Sequence, residues 1–175
     1  MSSGTDASIR DIIEKKFGKY PAQEKVVKLV FERGFQISPE GKVVSGGIEL
    51  PHVQVGREIG VDRRVVDGAA KRIAADKELF ELLRHMRSIA FLRDAAPFMG
   101  LGVVIIVPDD GADIGIISSV TAIISSAGYS IRQAVSDDPF LTVEPRLTII
   151  TNGILPGDVV NRIKQTKGVK GVSIY

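Results

Sequence analysis

The sequence predicts an α+β fold in two domains, the first largely helical and the second built from alternating strands and helices. Composition changes near residue 95, where charged helical segments give way to segments rich in Ile, Val, Ser and Gly. The hydrophobic period also changes, from helical spacing to short apolar strands between amphipathic helices. We therefore predict domains over residues 8–94 and 98–175, separated by a segment that contains Pro97 and Gly100.

The first domain is predicted to contain helices and a β-hairpin. Apolar residues recur at helical spacing over residues 8–17, 22–33, 52–59, 63–75 and from 77 to about 91. Asp62 and Asp76 stand just before the last two helices, where a carboxylate accepts hydrogen bonds from free backbone N–H groups. A turn signal, Pro39-Glu40-Gly41, lies between β-prone runs and predicts a hairpin over residues 35–50.

The second domain is predicted to follow the order β-α-β-β-α-β. Strand-like runs occupy residues 103–107, 129–135, 146–151 and 169–175, and helical runs occupy 115–127 and the segment from Pro156 to Gly168. The segment SDDPFLTVEP is predicted to be a turn region. This order is that of the ferredoxin-like arrangement, an antiparallel four-stranded sheet with two helices on one face.

The composition excludes several functional classes. The chain of 175 residues has no Cys and two histidines, His52 and His85, which removes thiol nucleophiles and Cys-ligated metal centres. No apolar stretch is long enough to span a membrane, and we see no secretion signal, so we expect a cytoplasmic protein. We expect neither enzymatic activity nor a cofactor, and we interpret His52 as a surface or capping residue.

Residues 52–72, HVQVGREIGVDRRVVDGAAKR, resemble a helix-turn-helix motif. Gly56 and Gly60 have the spacing of the small residue that touches the second helix and the glycine that makes the turn. The resemblance implies that Arg63 and Arg64, at the start of the second helix, read bases in a DNA major groove. The side chains then expected to contact phosphate, or to act from a wing, are Arg57, Lys71, Arg72 and Lys42.

Two residues oppose DNA binding by this motif. Asp67 lies in the middle of the second helix, where its carboxylate would repel phosphate. Gly68 destabilises a helix interior by about 1 kcal/mol relative to Ala. Because a helix-turn-helix that contacts only protein tolerates both residues, a DNA-binding domain and a purely structural or protein-binding helical domain remain open.

The segment DIGIISSVTAIISSAGYSI, residues 113–131, resembles the ACT domain, an amino-acid-sensing module of metabolic regulation. Gly115, Gly128 and Ile131 match the family pattern of a loop ending in Gly, an amphipathic helix and a Gly-x-Asn-Ile turn. Ser130 replaces the usual Asn. The loop PDDGADIG is longer than in the family and carries Ile114 in place of Pro.

The ACT resemblance implies that a small amino acid binds at the loop before the helix. Free N–H groups at the helix N-terminus favour a carboxylate, and the acidic residues of the loop, including Asp109, are placed to hold an ammonium group. The expected ligand-binding residues are Asp110, Asp113, Ile114, Gly115, Ile116 and Ser130. A solvated acidic turn without a ligand is the alternative.

The order of the two motifs resembles that of archaeal predicted regulators of amino-acid metabolism and, more loosely, that of the leucine-responsive regulators. The resemblance implies a transcriptional regulator that binds duplex DNA with its first domain and an amino acid with its second. The alternative is a regulatory subunit that ignores DNA and tunes a metabolic enzyme. The uncharged alternation near the end of the last strand, Val169–Tyr175, predicts a homodimer or larger assembly through the second domain.

Overall fold

A computed structural model describes residues 9–139 and 142–175. Residue 8 of the first predicted helix and residues 140–141 of the predicted turn region lie outside the described residues. The model confirms an α+β architecture, with helices and antiparallel sheets. The chain divides into two units, the first ending at Ala90 and the second beginning at Phe91. This division precedes the predicted boundary near residue 95.

The helices of the first unit pack around one apolar core. Within residues 9–90 these helices are α1 (Ile9–Phe17), α2 (Pro21–Glu32), α3 (His52–Ile59), α4 (Arg63–Ala75) and α5 (Lys77–Arg84). Phe17, Val30, Val66 and Ile73 lie at the centre of the core and are inaccessible to solvent. Their burial comes from the apolar stripes that also predicted the helices.

Both predicted helix caps are confirmed. Arg64 N donates a hydrogen bond to Asp62 Oδ1 at 2.8 Å, which caps α4. Leu79 N donates to Asp76 Oδ1 at 3.1 Å, which caps α5. Each carboxylate satisfies a backbone donor that has no partner inside its helix.

The predicted end of α5 near residue 91 is wrong, since the helix ends at Arg84. The residues that follow are held against the turn after α2. Gln36 Nε2 donates to Met86 O at 2.6 Å, and Ser88 Oγ donates to Arg33 O at 2.8 Å. These bonds between distant parts of the chain keep the backbone out of a further helical turn.

The predicted hairpin contains an additional strand. Among residues 9–90, β1 (Gln36–Ile37), β2 (Val43–Ser45) and β3 (Ile48–Glu49) form an antiparallel sheet in that order. The additional strand folds back on β2 through Gly46, whose φ of 60° is readily adopted by glycine. The turn between β1 and β2 packs closely on α4. A Cβ built at Gly41, in this turn, would lie only 3.2 Å from Lys71 Cα.

The second unit follows the predicted order of elements. In its described part these are β4 (Gly102–Pro108), α6 (Ile116–Ser126), β5 (Ile131–Ser136), β6 (Leu147–Thr151), α7 (Gly157–Lys164) and β7 (Val169–Ile174). The strands form one antiparallel sheet in the order β5-β6-β4-β7. Helices α6 and α7 cover the face that carries Val104, Ile106 and Ile149.

The segment that leads into β4 covers the opposite face of this sheet. Leu92 and Ala96 pack with Val103, Ile105 and Ile150. In the same segment, Leu92 N donates to the side-chain carbonyl of the β5 glutamine at 2.9 Å. Because both faces of the sheet are covered, β4 is a continuous apolar run. The packing of the segment after Ala90 on this sheet also explains why that segment belongs to the second unit.

Asp76 provides a test of how α1 and α5 are joined. Its carboxylate accepts both the α5 cap bond and the Lys16 ammonium, whose Nζ lies 2.7 Å from each oxygen. Burial opposes ionisation of Asp76, but the Lys16 ammonium and the Leu79 N–H outweigh it and hold the pKa of Asp76 below its ordinary value.

We expect Asp76→Ala to lower the free energy of unfolding by about 1–2 kcal/mol at neutral pH. Because the folded-state pKa is depressed, the stabilisation is present above the unfolded-state pKa of about 3.9 and is lost as pH falls through the folded-state value. Urea unfolding at neutral pH and near pH 3 measures both effects. A difference between parent and variant that does not shrink in acid would contradict this account.

Candidate functional site

Helix α3 and the turn that leads into α4 meet at a close contact that depends on a glycine. A Cβ built at Gly56 would lie 2.6 Å from Val61 O, closer than real Cβ atoms come. Gly60 ends α3 in the left-handed conformation, with φ of 68°. Both glycines therefore have the local roles that the spacing predicted, and the chain passes from α3 to the start of α4 through a short turn.

Four of the predicted DNA-contacting side chains are exposed on α3 and α4: Arg57, Arg63, Arg64 and Lys71. Within the described residues, none of them lies within ion-pairing distance of a carboxylate. Four unpaired cations on two adjacent helices form a basic surface, which we call the α3–α4 surface. Such a surface attracts a polyanion.

Arg72, also predicted to contact phosphate, is exposed but lies against aromatic rings, so we do not count it in this surface. Its guanidinium lies 4.0 Å from the centre of the Tyr20 ring and 5.3 Å from that of Phe17. A cation over an aromatic face is attracted by the ring quadrupole. Lys42, the expected wing contact, is also engaged, because its Nζ lies 3.0 Å from Glu49 Oε1.

Asp67, whose carboxylate was predicted to repel phosphate, has partners within the protein. Its carboxylate contacts Nδ1 of His52, and Nε2 of the same ring lies 3.2 Å from Val43 N. Because a backbone N–H can only donate, Nε2 is the acceptor and carries no proton. The ring is therefore neutral with its proton on Nδ1, and Nδ1–H donates a hydrogen bond to the Asp67 carboxylate. The interpretation of His52 as a surface or capping residue is wrong, since its side chain is 9% exposed and joins three elements.

This contact also changes the electrostatics of α4. The hydrogen bond from His52 lowers the pKa of the Asp67 carboxyl below its ordinary value, against the opposing effect of burial, and Arg63 and Lys71 add to the lowering. Asp67 is therefore an ionised carboxylate with protein partners. Its negative charge is directed to His52 and partly offset by the two neighbouring cations.

Gly68, the other residue that opposed a recognition helix, also has a packing role. A Cβ at this position would lie 3.0 Å from Gln23 Nε2, so α2 approaches α4 closely here. The sequence pattern identified Gly68 as a weakness in the helix. The structure shows that a larger residue would have to displace the side chain of Gln23.

The loop of the second unit that was predicted to bind an amino acid is largely ordered by its own contacts. Asp110 Oδ1 accepts a hydrogen bond from Ala112 N at 2.9 Å. Asp113 lies against the turn before β7, since a Cβ at Gly168 would be 3.3 Å from Asp113 Oδ2. Ile114 is fully exposed, whereas Ile116 is buried in the core.

Gly115 leaves the N-terminus of α6 open. Its φ of 94° lies in the region that glycine favours, and a Cβ built there would have Ser118 Oγ, 4.0 Å away, as its nearest neighbour. A small cavity of about 50 Å³ lies close by, and its polar lining includes Asp113, Ser136 and Arg146. Sequence reasoning missed Ser136 and Arg146, because only the pairing of β5 with β6 brings them to this loop.

Ser130 was predicted to bind the ligand together with this loop. Within one chain, however, it does not lie beside the loop. The loop follows Pro108 at one end of β4. Ser130 instead precedes the pairing of Ile131 with Thr151, at the other end of the sheet, and its N–H donates to Asn152 Oδ1 at 3.0 Å. Helix α6, of 11 residues and therefore about 16 Å long, separates the two positions.

Neither a metal centre nor a membrane span is found in the described residues. No group of three or more His, Asp or Glu side chains there is placed to hold a metal ion. No helix in that part of the chain has both the length and the apolarity required to cross a bilayer.

Comparison with known proteins does not assign a family. No protein-family model matches the chain, and no curated protein matches it significantly. Solved structures that match include the crystal structure of PH0061, at 15% identity over 87% of this chain and 88% of that one. Its TM-score of 0.26 is too low to support an argument about fold or function.

The contact at Gly56 can be tested with a matched pair of glycine substitutions. We expect Gly56→Ala to lower the free energy of unfolding by about 1–3 kcal/mol, because the methyl group would overlap Val61 O. Gly47→Ala is the control, since its Cβ would meet no atom within 4 Å. Thermal or urea unfolding compares the two variants. Equal stability would show that α3 and α4 do not approach each other as described.

Proposed function

We propose that the protein is a DNA-binding regulator of amino-acid metabolism. Helices α3 and α4 contact duplex DNA in the manner of a helix-turn-helix, and the second unit binds a small amino acid in the manner of an ACT domain. The α3–α4 surface carries the proposal, because its four cations are exposed and unpaired among the described residues.

The start of α4 supports direct contact with bases. Asp62 caps the helix, and Arg63 and Arg64 follow immediately at its exposed N-terminal end. Arginine reads guanine through two parallel hydrogen bonds, the commonest specific base contact. Arg57 on α3 and Lys71 in the second half of α4 supply phosphate contacts, which position the helix without reading sequence.

The loop before α6 supports the effector site. The left-handed Gly115 leaves backbone N–H groups at the start of α6 accessible, where the helix dipole favours a carboxylate. Asp113 is placed to pair with an ammonium group at the edge of the small cavity. The cavity of about 50 Å³ admits only a small group, such as the ammonium group of the ligand. The β-α-β-β-α-β order is that of ferredoxin-like domains, the ACT domain among them.

The second unit also supports a homodimer. Strand β7 lies at one side of its sheet, and an unpaired strand edge is a template for another strand. Ile174 and Tyr175, at the end of β7, are 41% and 63% exposed. Pairing of β7 between two copies would cover both. Light scattering at micromolar concentration distinguishes this dimer from a monomer.

The alternative function, a regulatory subunit that binds an enzyme and not DNA, is favoured by one observation. Ile48 of β3 and Val53 of α3 are 69% and 40% exposed. Exposed aliphatic side chains contribute to protein interfaces and little to contacts with phosphate. In this case the first unit would co-purify with an enzyme and ignore DNA.

DNA binding is tested by fluorescence anisotropy with the duplex upstream of the protein's own gene, at several salt concentrations. We expect Arg64→Ala to weaken binding by about 1–3 kcal/mol and to reduce base discrimination. We expect Lys71→Ala to weaken binding to all sequences and to reduce the salt slope by about 1.

Arg84→Ala is the control for loss of one positive charge, because Arg84 lies on α5 in an ion pair with Glu81. It should bind DNA as the parent does. If Arg63→Ala/Arg64→Ala binds a proven operator as tightly as the parent, α4 is not the recognition helix.

Effector binding is tested by calorimetry with glycine, alanine and serine. We expect Asp113→Asn to weaken binding about tenfold, because the amide removes the charge that faces the ammonium group. Asp158→Asn, on the exposed first turn of α7, is the matched control and should leave affinity unchanged. If none of these amino acids binds at millimolar concentration, the loop is a solvated turn and the effector site is refuted.

A further inference from the structure

The first unit contains a groove whose lining shares no residue with the α3–α4 surface. Its volume is about 270 Å³. The end of α2, the segment that joins β3 to α3, and one side of α3 enclose it. Its lining comprises Leu29, Arg33, Phe35, Leu50, Pro51, Gln54, Val55 and Glu58.

The inner wall of the groove is apolar. Leu29 and Val55 are buried in the core at 8% and 5% exposure, and Phe35 and Leu50 pack against the same core. An apolar group that entered the groove would therefore leave water and contact side chains already held in place. Such a preformed apolar site with a few polar groups at its mouth is the usual form of a small-molecule site.

The charged groups of the groove are one cation and one anion. Arg33 Nη2 lies 3.2 Å from Glu58 Oε1, and the side chains are each 59% exposed. An exposed ion pair of this kind is weak and separates readily. The guanidinium has five N–H donors, so it can donate hydrogen bonds to a ligand carboxylate, while Glu58 can accept hydrogen bonds from an ammonium group.

We infer that this groove binds a free α-amino acid with an apolar side chain of the size of leucine or phenylalanine. The side chain would lie on Leu29 and Val55, the carboxylate on Arg33 and the ammonium group on Glu58. The volume is just below that of sites for drug-sized ligands, which suits one such side chain. Opposite charges at the rim match a zwitterion better than a simple acid or amine. The inference depends neither on DNA binding nor on the effector site of the second unit.

The test uses the full chain, with calorimetry and methyl NMR during titration with L-leucine and L-phenylalanine. We expect dissociation constants of about 1 mM or tighter, with shifts at the Leu29, Leu50 and Val55 methyl groups. Isocaproate lacks the ammonium group and isopentylamine lacks the carboxylate. Each should bind about tenfold more weakly than leucine.

Substitutions at the rim locate the site without disturbing the core. Arg33→Gln and Glu58→Gln should each weaken leucine binding about tenfold. Arg84→Gln removes a comparable exposed ion pair, with Glu81 on α5, and should have no effect. Asp113→Asn should also have no effect, which separates this groove from the effector site of the second unit.

Several results would overturn the inference. Absence of methyl shifts at about 10 mM amino acid would show that the groove does not bind this class of ligand. Equal affinity for leucine and isocaproate, or unchanged affinity after Arg33→Gln, would show that the ion pair does not select a zwitterion. Shifts caused only by a peptide would assign the groove to a protein partner.

Discussion

The imidazole of His52 is the connection on which the arrangement of the first unit depends. His52 is the first residue of α3. Its ring accepts a hydrogen bond from Val43 N in β2 and donates one to Asp67 in α4. The Val43 side chain is inaccessible to solvent, so its N–H would lose its partner beside the core without this ring. One side chain therefore contributes both to the place of the small sheet against α4 and to the charge environment of Asp67.

Contacts between side chains also determine which cations remain available for a ligand. Arg72 is held over Tyr20, and Lys42 lies in an exposed ion pair with Glu49. The proposed DNA-binding surface therefore comprises the four cations without such contacts, one on α3 and three on α4. Because the net charge of the chain is only +2, its strength depends on where these cations lie.

Features determined by neighbouring residues were predictable from the sequence, and features determined by distant residues were not. The caps at Asp62 and Asp76 and the turn at Gly60 depend on a few adjacent residues, so their residue types identify them. The bond between His52 and Asp67 joins residues 15 positions apart, and no local pattern marks it. The early end of α5 has the same origin, since Gln36 holds Met86 from 50 positions away.

In the candidate sites, too, features set by neighbouring residues were predictable and features set by distant residues were not. The left-handed Gly115 at the start of α6 was predictable, because a glycine before an amphipathic helix is a local signal. The separation of Ser130 from that glycine was not, since it depends on the register in which β5 pairs with β6. Arg146 and Ser136 reach the loop for the same reason. The Arg33–Glu58 pair over an apolar groove required α2 and α3 to be placed side by side.

The most direct test of the central claim is amide NMR of the whole chain during titration with duplex DNA at low salt. This account predicts shifts in α3 and α4, around Arg57, Arg63, Arg64 and Lys71. These shifts disappear as salt is added, because phosphate contacts release counterions. Shifts confined to the second unit, or no shifts at low salt, would contradict the claim that α3 and α4 bind DNA.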